Sequence, residues 1–266
     1  VHQQGGNRVP PLVLLKPGNC DPPIFMAHGL GGNVMEVFPL ATRLDVGHSI
    51  YGMQARGIDG LEEPHERIED MAEYHLDAIR QLQPHGPYFL TGYSFGGLEM
   101  LEVARRLSRA GEKIALLAML DSYPHRHSLS FGQHARLALH LAKRRATSLM
   151  RGGRNDDRIP AGRRSEGDAA PQPLPGELDA RAVRVSEHTK HAWRDYRPQF
   201  YEGKIRFVKA AVRSYFPADP VAVWGPLVRE CTLESVPCDH KGLLTTHIET
   251  VTAIVSRFVK EALGEK

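Results

Sequence analysis

Cysteine is scarce in this chain of 266 residues. The three present, Cys20, Cys231 and Cys238, are odd in number and form no C-x-x-C pair, which speaks against a disulfide framework and against a zinc site. A reducing cytoplasm is the compartment this usage fits. Long apolar runs are missing too: none approaches the ~18–20 residues a membrane-crossing helix needs. The opening residues, from Val1 to Gly6, have neither the charged nor the apolar region of a signal peptide. The lack of an initiator Met reads as a domain cut from a longer protein. Charge of one sign is also in short supply, with a net formal charge of +3. That balance disfavours a dedicated nucleic-acid binder. The small basic excess gathers at Lys143, Arg144 and Arg145 and continues to Arg151, Arg154 and Arg158. It reads as solvated surface, with a docking patch for an acidic partner as the alternative.

What is present suits an ordinary globular core: 41% hydrophobic and 7% aromatic residues. Short apolar runs alternate with helical patterns, the signature of a parallel sheet with crossover helices. The expected strands are 12–15, 24–27, 49–53, 88–91, 114–120, 205–209 and 231–236. Helices are expected at 34–44, 67–82, 97–110 and 246–263, the last opened by a Thr246-x-x-Glu249 capping box. Between Asp121 and Ile205 the rhythm breaks. A basic amphipathic helix (131–150), a Gly-, Pro- and Arg-rich linker (151–176) and a second helix (178–196) read as a helical lid, about 125–200, inserted into one α/β domain spanning 1–266. The linker is expected to be mobile.

The strongest local signal is Gly92-Tyr93-Ser94-Phe95-Gly96-Gly97, a G-x-S-x-G match between a strand and a helix. A strand-to-helix turn this sharp strains the serine and leaves no room for side chains beside it. It lifts the Ser94 hydroxyl into the open at a helix N-terminus, where unpaired amides favour negative charge. A serine needs a base oriented by an acid. In an α/β-hydrolase fold the chain order is Ser, acid, His. Asp121 ends the most apolar strand and is the expected acid, although a carboxylate there also suits a turn cap. Of the 14 histidines, His240 lies after the final strand and before the last helix and is the expected base, with His247 the runner-up. The oxyanion donors are expected at Phe95 N–H and, from the loop His28-Gly29-Leu30-Gly31-Gly32, at Leu30 N–H, with Gly31 second. His28 is read as structural. The glycine run lacks a following Lys-Ser/Thr, so a phosphate loop is set aside. His125, His127, His134 and His140 lack a carboxylate or thiol at ligand spacing, so no metal is expected.

Three segments carry a family resemblance: 24–32, 51–60 (Tyr51-Gly52-Met53-Gln54-Ala55-Arg56-Gly57-Ile58-Asp59-Gly60) and 86–97. With Leu120-Asp121 and Asp239-His240, they make the chain, about residues 11–263, similar to the type I thioesterase domains of polyketide synthases and non-ribosomal peptide synthetases. The resemblance implies an acyl or peptidyl chain delivered on the phosphopantetheine of a carrier protein, with no cofactor bound to the domain itself. It implies a Ser94 acyl-enzyme resolved by water or by an internal nucleophile. Lys241-Gly242 departs from the family pattern, as does the long charged linker. A carboxylic-ester hydrolase or acyltransferase of the same fold is the nearest alternative. A non-catalytic acyl- or carrier-binding module is the alternative of another class.

Overall fold

The apolar runs become one seven-stranded sheet in the computed structural model, which describes residues 8–125, 177–212 and 219–265. The strands are β1 (Leu12–Lys16), β2 (Cys20–Ala27), β3 (His48–Met53), β4 (Tyr88–Tyr93), β5 (Ile114–Leu120), β6 (Tyr201–Ala210) and β7 (Val228–Val236). They lie in the order β1-β3-β2-β4-β5-β6-β7. Only the edge strand β1 is antiparallel to its neighbour; the remaining pairs are parallel. After β2 the chain passes to β3 on one side, and β4 then pairs with β2 on the other. The direction of winding thus reverses between β2 and β4, and open α/β sheets place their sites beyond the carboxyl ends of the strands at such a point.

Successive side chains of the central strands face opposite layers. Phe25, Tyr88, Leu90 and Leu117 pack with α2 (Ile68–Leu82) and α3 (Phe95–Arg109). Ile24, Met26, Phe89 and Leu116 pack on the other face with α1 (Phe38–Arg43) and the last helix, α6 (Ile248–Leu263). Parallel strands covered on both faces must be apolar throughout, which is why β4 and β5 carry no charged residue. Each fully buried Phe or Leu contributes about 1.5–3 kcal/mol of transfer free energy.

Two further helices complete the described chain: α4 (Glu177–Asp195), between β5 and β6, and the short α5 (Pro220–Trp224). The expected helix 178–196 is α4 almost to the residue. Its Trp193 Nε1–H donates to the Tyr123 carbonyl at 2.9 Å, and its Arg181 donates to the Asp59 carbonyl at 2.8 Å. The expected helix 131–150, the linker 151–176 and the basic cluster 143–158 lie outside the described residues. Among the described residues, no helix is long and apolar enough to cross a membrane.

Several expected boundaries move. The helix expected at 34–44 splits into a 3-10 turn (Val34–Glu36), capped by Asn33, and α1, where Pro39 sits in the first turn. Proline is tolerated there because its missing N–H would have had no helical partner. The Thr246/Glu249 capping box does not form. Helix α6 starts at Ile248 with His247 in the cap position and no side-chain cap. Thr246 Oγ1 meets His247 Nδ1 at 3.0 Å instead, while Glu249 pairs with Arg43 at 3.2 Å. Helix α5 was not foreseen, although Asp219-Pro220 is a helix-start signal: Asp219 accepts from Val221 N–H at 3.0 Å.

Candidate active site

Ser94, Asp121 and His240, separated by up to 146 positions in sequence, form one hydrogen-bonded chain. The Ser94 hydroxyl lies 2.9 Å from His240 Nε2, and His240 Nδ1 lies 2.7 Å from Asp121 Oδ2. A carboxylate only accepts, so this contact places the proton on Nδ1 and turns the Nε2 lone pair toward the serine. Asp121 Oδ1 accepts from Ala210 N–H at 3.2 Å, so both carboxylate oxygens are engaged. The Asp121 side chain is 2% exposed and that of His240 20%, so the imidazole is reachable from outside while the carboxylate is shielded.

Local backbone geometry delivers these groups. Ser94, between β4 and α3, has φ 54° and ψ −119°. Such a conformation costs about 1–3 kcal/mol and persists only where its surroundings enforce it. The enforcement is visible. Ser94 N–H donates to the Leu120 carbonyl at 2.8 Å, and the flanking glycines lie in close contact with their neighbours. A Cβ on Gly92 would stand 2.4 Å from the Gly96 carbonyl carbon, on Gly96 2.2 Å from the His28 carbonyl oxygen, and on Gly97 2.1 Å from Ser122 Oγ. Asp121 also has positive φ, 48°, a turn Asp tolerates better than most residues. Its N–H donates to Val208 at 2.7 Å, tying the turn to β6.

His240 is held from one side. The Tyr93 ring stacks on it at 4.9 Å, and the Tyr93 hydroxyl donates to the His240 carbonyl at 3.0 Å. Burial, with Glu36 and Asp121 nearby, raises the Tyr93 phenol, which therefore stays a donor at neutral pH. Asp239, read as a loop residue, accepts from Gly242 N–H at 2.8 Å and steadies the turn that carries His240. His247, the runner-up base, caps α6 and is not part of the Ser94–Asp121 chain.

Phe95 opens α3, so its N–H has no carbonyl within its own helix to meet. In the loop after β2, Gly29 N–H is already committed to Glu36 Oε2 at 2.7 Å. Leu30 and Gly31 follow it, and a Cβ on Gly31 would meet nothing within 4 Å, so the loop is open there. His28 is structural, as expected: Nδ1–H donates to the Gly29 carbonyl at 2.7 Å. Burial lowers its pKa and keeps it neutral despite nearby Glu99, leaving Nε2 as a buried acceptor without a hydrogen-bond partner. His28, Arg56, His75 and Glu99 line a cavity of about 20 Å³ beneath α4, room for little more than one water.

Sequence reading missed one feature, a buried hydrogen-bonded pair of titratable side chains, His75 on α2 and Glu99 on α3. The signal was available. His75 interrupts the apolar stripe Ile68, Ala72, Leu76, Ile79, and Glu99 lies between Leu98 and Met100. Of the four clustered histidines, only His125 is described; it packs edge-on against Trp193 at 4.9 Å. No group of three or more potential metal ligands comes together among the described residues.

This sheet order, with a strained serine after the central strand, defines an α/β-hydrolase. A family model described as "Thioesterase domain" matches residues 22–157, slightly more than half of the chain, and the chain belongs to that family. It is a hydrolase of the thioester-cleaving class. A dimodular nonribosomal peptide synthase of Bacillus subtilis is 41% identical over 113 residues, 42% of this chain but 5% of that protein. The chain thus spans only a small part of such relatives. The NocB thioesterase domain, solved as a covalent complex with a fluorophosphonate nocardicin G analog, superposes with a TM-score of 0.63 at 19% identity, covering 94% of this chain and 96% of its own. The Vlm2 thioesterase domain bound with a dodecadepsipeptide gives 0.67 at 22% identity, covering 93% and 96%. At these identities the two structures speak for the fold.

Proposed function

We propose that this domain releases an acyl, polyketide or peptidyl chain from the phosphopantetheine thioester of a carrier protein through an acyl-enzyme on Ser94. The observation that carries the reading is the 2.9 and 2.7 Å chain from Ser94 through His240 to Asp121, in a member of the thioesterase family. Ser94 Oγ attacks the thioester carbonyl while His240 Nε2 takes its proton. The C–S bond then breaks and His240 returns the proton to the departing sulfur. Water, or a nucleophile within the chain itself, next attacks the acyl-serine with His240 again as base, so release is by hydrolysis or by cyclisation. Phe95 N–H and Leu30 N–H, with Gly31 the second choice, receive the developing oxyanion, each such donor contributing about 10²–10³-fold in rate.

The chain is read as a single domain with a lid insertion at about 125–200. Helix α4, the described part of that insertion, packs Val185 near Gly32 of the oxyanion loop and so borders the route to Ser94. The three free cysteines suit a reducing cytoplasm, where carrier-bound synthesis would take place.

The test is intact-protein mass after brief mixing with acyl-pantetheine thioesters, with Ser94→Ala alongside. A gain of one acyl mass in the parent alone is the expected result. An adduct of equal size in Ser94→Ala removes Ser94 as nucleophile. Faster turnover of matched oxygen esters would favour the ester-hydrolase alternative.

A further inference from the structure

The two oxyanion donors come from different parts of the chain: Phe95 opens α3, whereas Leu30 belongs to the loop after β2. Stabilising one oxygen requires that these two parts keep a fixed separation, since preorganised donors act only at the right distance. A continuous buried hydrogen-bond path runs between them. Glu99, one turn beyond Phe95 on α3, pairs with His75 Nδ1, and the two side chains are 1% and 2% exposed. His75 Nε2 donates to the backbone carbonyl of Gln54 at 3.0 Å. The Gln54 side chain then reaches the oxyanion loop: its Nε2–H donates to the Gly32 carbonyl at 2.6 Å, and its Oε1 accepts from Val34 N–H at 3.4 Å.

We infer that Glu99, His75 and Gln54 are positioning residues that hold the oxyanion loop in register with the nucleophile helix. The inference rests on the Ser94 reading above and goes beyond it by naming what fixes the donors.

Proton accounting makes the path one-directional. The Gln54 carbonyl can only accept, so His75 Nε2 must carry a hydrogen. Nδ1 and Glu99 therefore share one further proton, either as imidazolium and carboxylate or as neutral ring and acid. Burial disfavours charge on both, yet their mutual attraction prevails, raising His75 and lowering Glu99. In either form the ring is held at both nitrogens and cannot rotate without leaving a buried polar atom unpaired. Polar links with no slack of this kind fix geometry in a way that apolar contact alone does not.

The test uses three variants and a fluorophosphonate that reacts with the serine hydroxyl, forming an O–P bond and expelling fluoride. His75→Leu/Glu99→Leu removes the pair without leaving a lone buried charge. Gln54→Leu leaves the pair intact and cuts only the side-chain link to Gly32 and Val34. Glu99→Gln preserves the path with a neutral ring, because the amide can donate to Nδ1. Saturation kinetics of labelling separates the rate within the complex from the affinity for the probe.

Misplacement of donors by a fraction of an ångström predicts a ~10–100-fold fall in the maximal labelling rate for the double variant and for Gln54→Leu, with affinity nearly unchanged. Glu99→Gln is expected to stay within about 3-fold of the parent because its hydrogen bonds survive. Should the double variant fail to fold, Gln54→Leu decides the matter. Parent-like maximal rates in a folded double variant or in Gln54→Leu would overturn the inference. So would a loss in Glu99→Gln as large as in the double variant, since charge rather than position would then matter. A parent that does not label at all overturns the Ser94 reading and this inference with it, whereas a parent that labels while the variants match it sinks only the inference.

Discussion

Replacing Asp121 with asparagine tests the hydrogen-bond logic of the site atom by atom. Asp121 accepts twice, from Ala210 N–H at 3.2 Å and from His240 Nδ1–H at 2.7 Å. An asparagine has one oxygen and one NH₂, so it can satisfy only one of these donors. If its oxygen keeps Ala210, its NH₂ faces His240 and forces Nδ1 to accept. The ring proton then moves to Nε2 and points at Ser94, and the base is lost. If the amide flips, the base is restored but NH₂ faces Ala210 N–H, two buried donors with nothing between them. An unsatisfied buried group costs about 1–3 kcal/mol, so the competent orientation is disfavoured by about 5–150-fold. A second loss is added because a neutral amide supports the imidazolium of the transition state less well than a carboxylate. Charge-assisted bonds exceed neutral ones by about 1–1.5 kcal/mol, a further ~5–12-fold. Together these give a fall in kcat of about 25- to 2,000-fold with KM nearly unchanged. The assay is thiol release from an acyl-pantetheine substrate at saturating concentration, with thermal unfolding recorded in parallel. A folded Asp121→Asn enzyme keeping more than about one fifth of the parental kcat would refute the tautomer argument.

Two further outcomes follow from buried titratable groups. The pair of raised His75 and lowered Glu99 stabilises the fold most between their unfolded values, 4.5 and 6.5. That contribution is lost as pH rises through the elevated His75 value or falls through the depressed Glu99 value. His28, kept neutral by burial, acts oppositely: its contribution is present above 6.5 and is lost as pH falls through its lowered value. Loss of the Glu99 charge, which draws the His28 value up, leaves His28 lowered further in the variant and acts in the same direction. Urea unfolding of the parent and of His75→Leu/Glu99→Leu should therefore show a stability difference that is larger near about pH 5.5 than near about pH 9. A difference independent of pH would mean that the pair does not titrate on unfolding. Among the cysteines, Cys20 is exposed, whereas burial raises the Cys231 thiol to about 11 and raises Cys238 too. Brief iodoacetamide treatment of the folded protein should therefore place its adduct on Cys20, read by peptide mass. Alkylation of Cys231 at an equal rate would contradict its burial, because the thiolate is the reacting form.

The sequence by itself determined the alternation of strands and helices, because a parallel sheet covered on both faces needs apolar strands and leaves a legible rhythm. It also determined the sharp turn at Ser94, since Gly92, Gly96 and Gly97 stand where a Cβ would strike neighbouring backbone or Ser122. Chain order then singled out Asp121 and His240, because each follows a strand whose carboxyl end the fold brings to the same edge. Other features were decided only in three dimensions. The capping box at Thr246 was locally plausible, yet Glu249 was drawn to Arg43, more than 200 residues away in the chain. The His75–Glu99 pair was invisible as a pair, because two polar residues in two apolar stripes acquire meaning only when α2 packs against α3. Local chemistry is written in neighbouring residues and can be read from them. Which distant group satisfies a buried charge depends on packing, and no spacing along the chain records it.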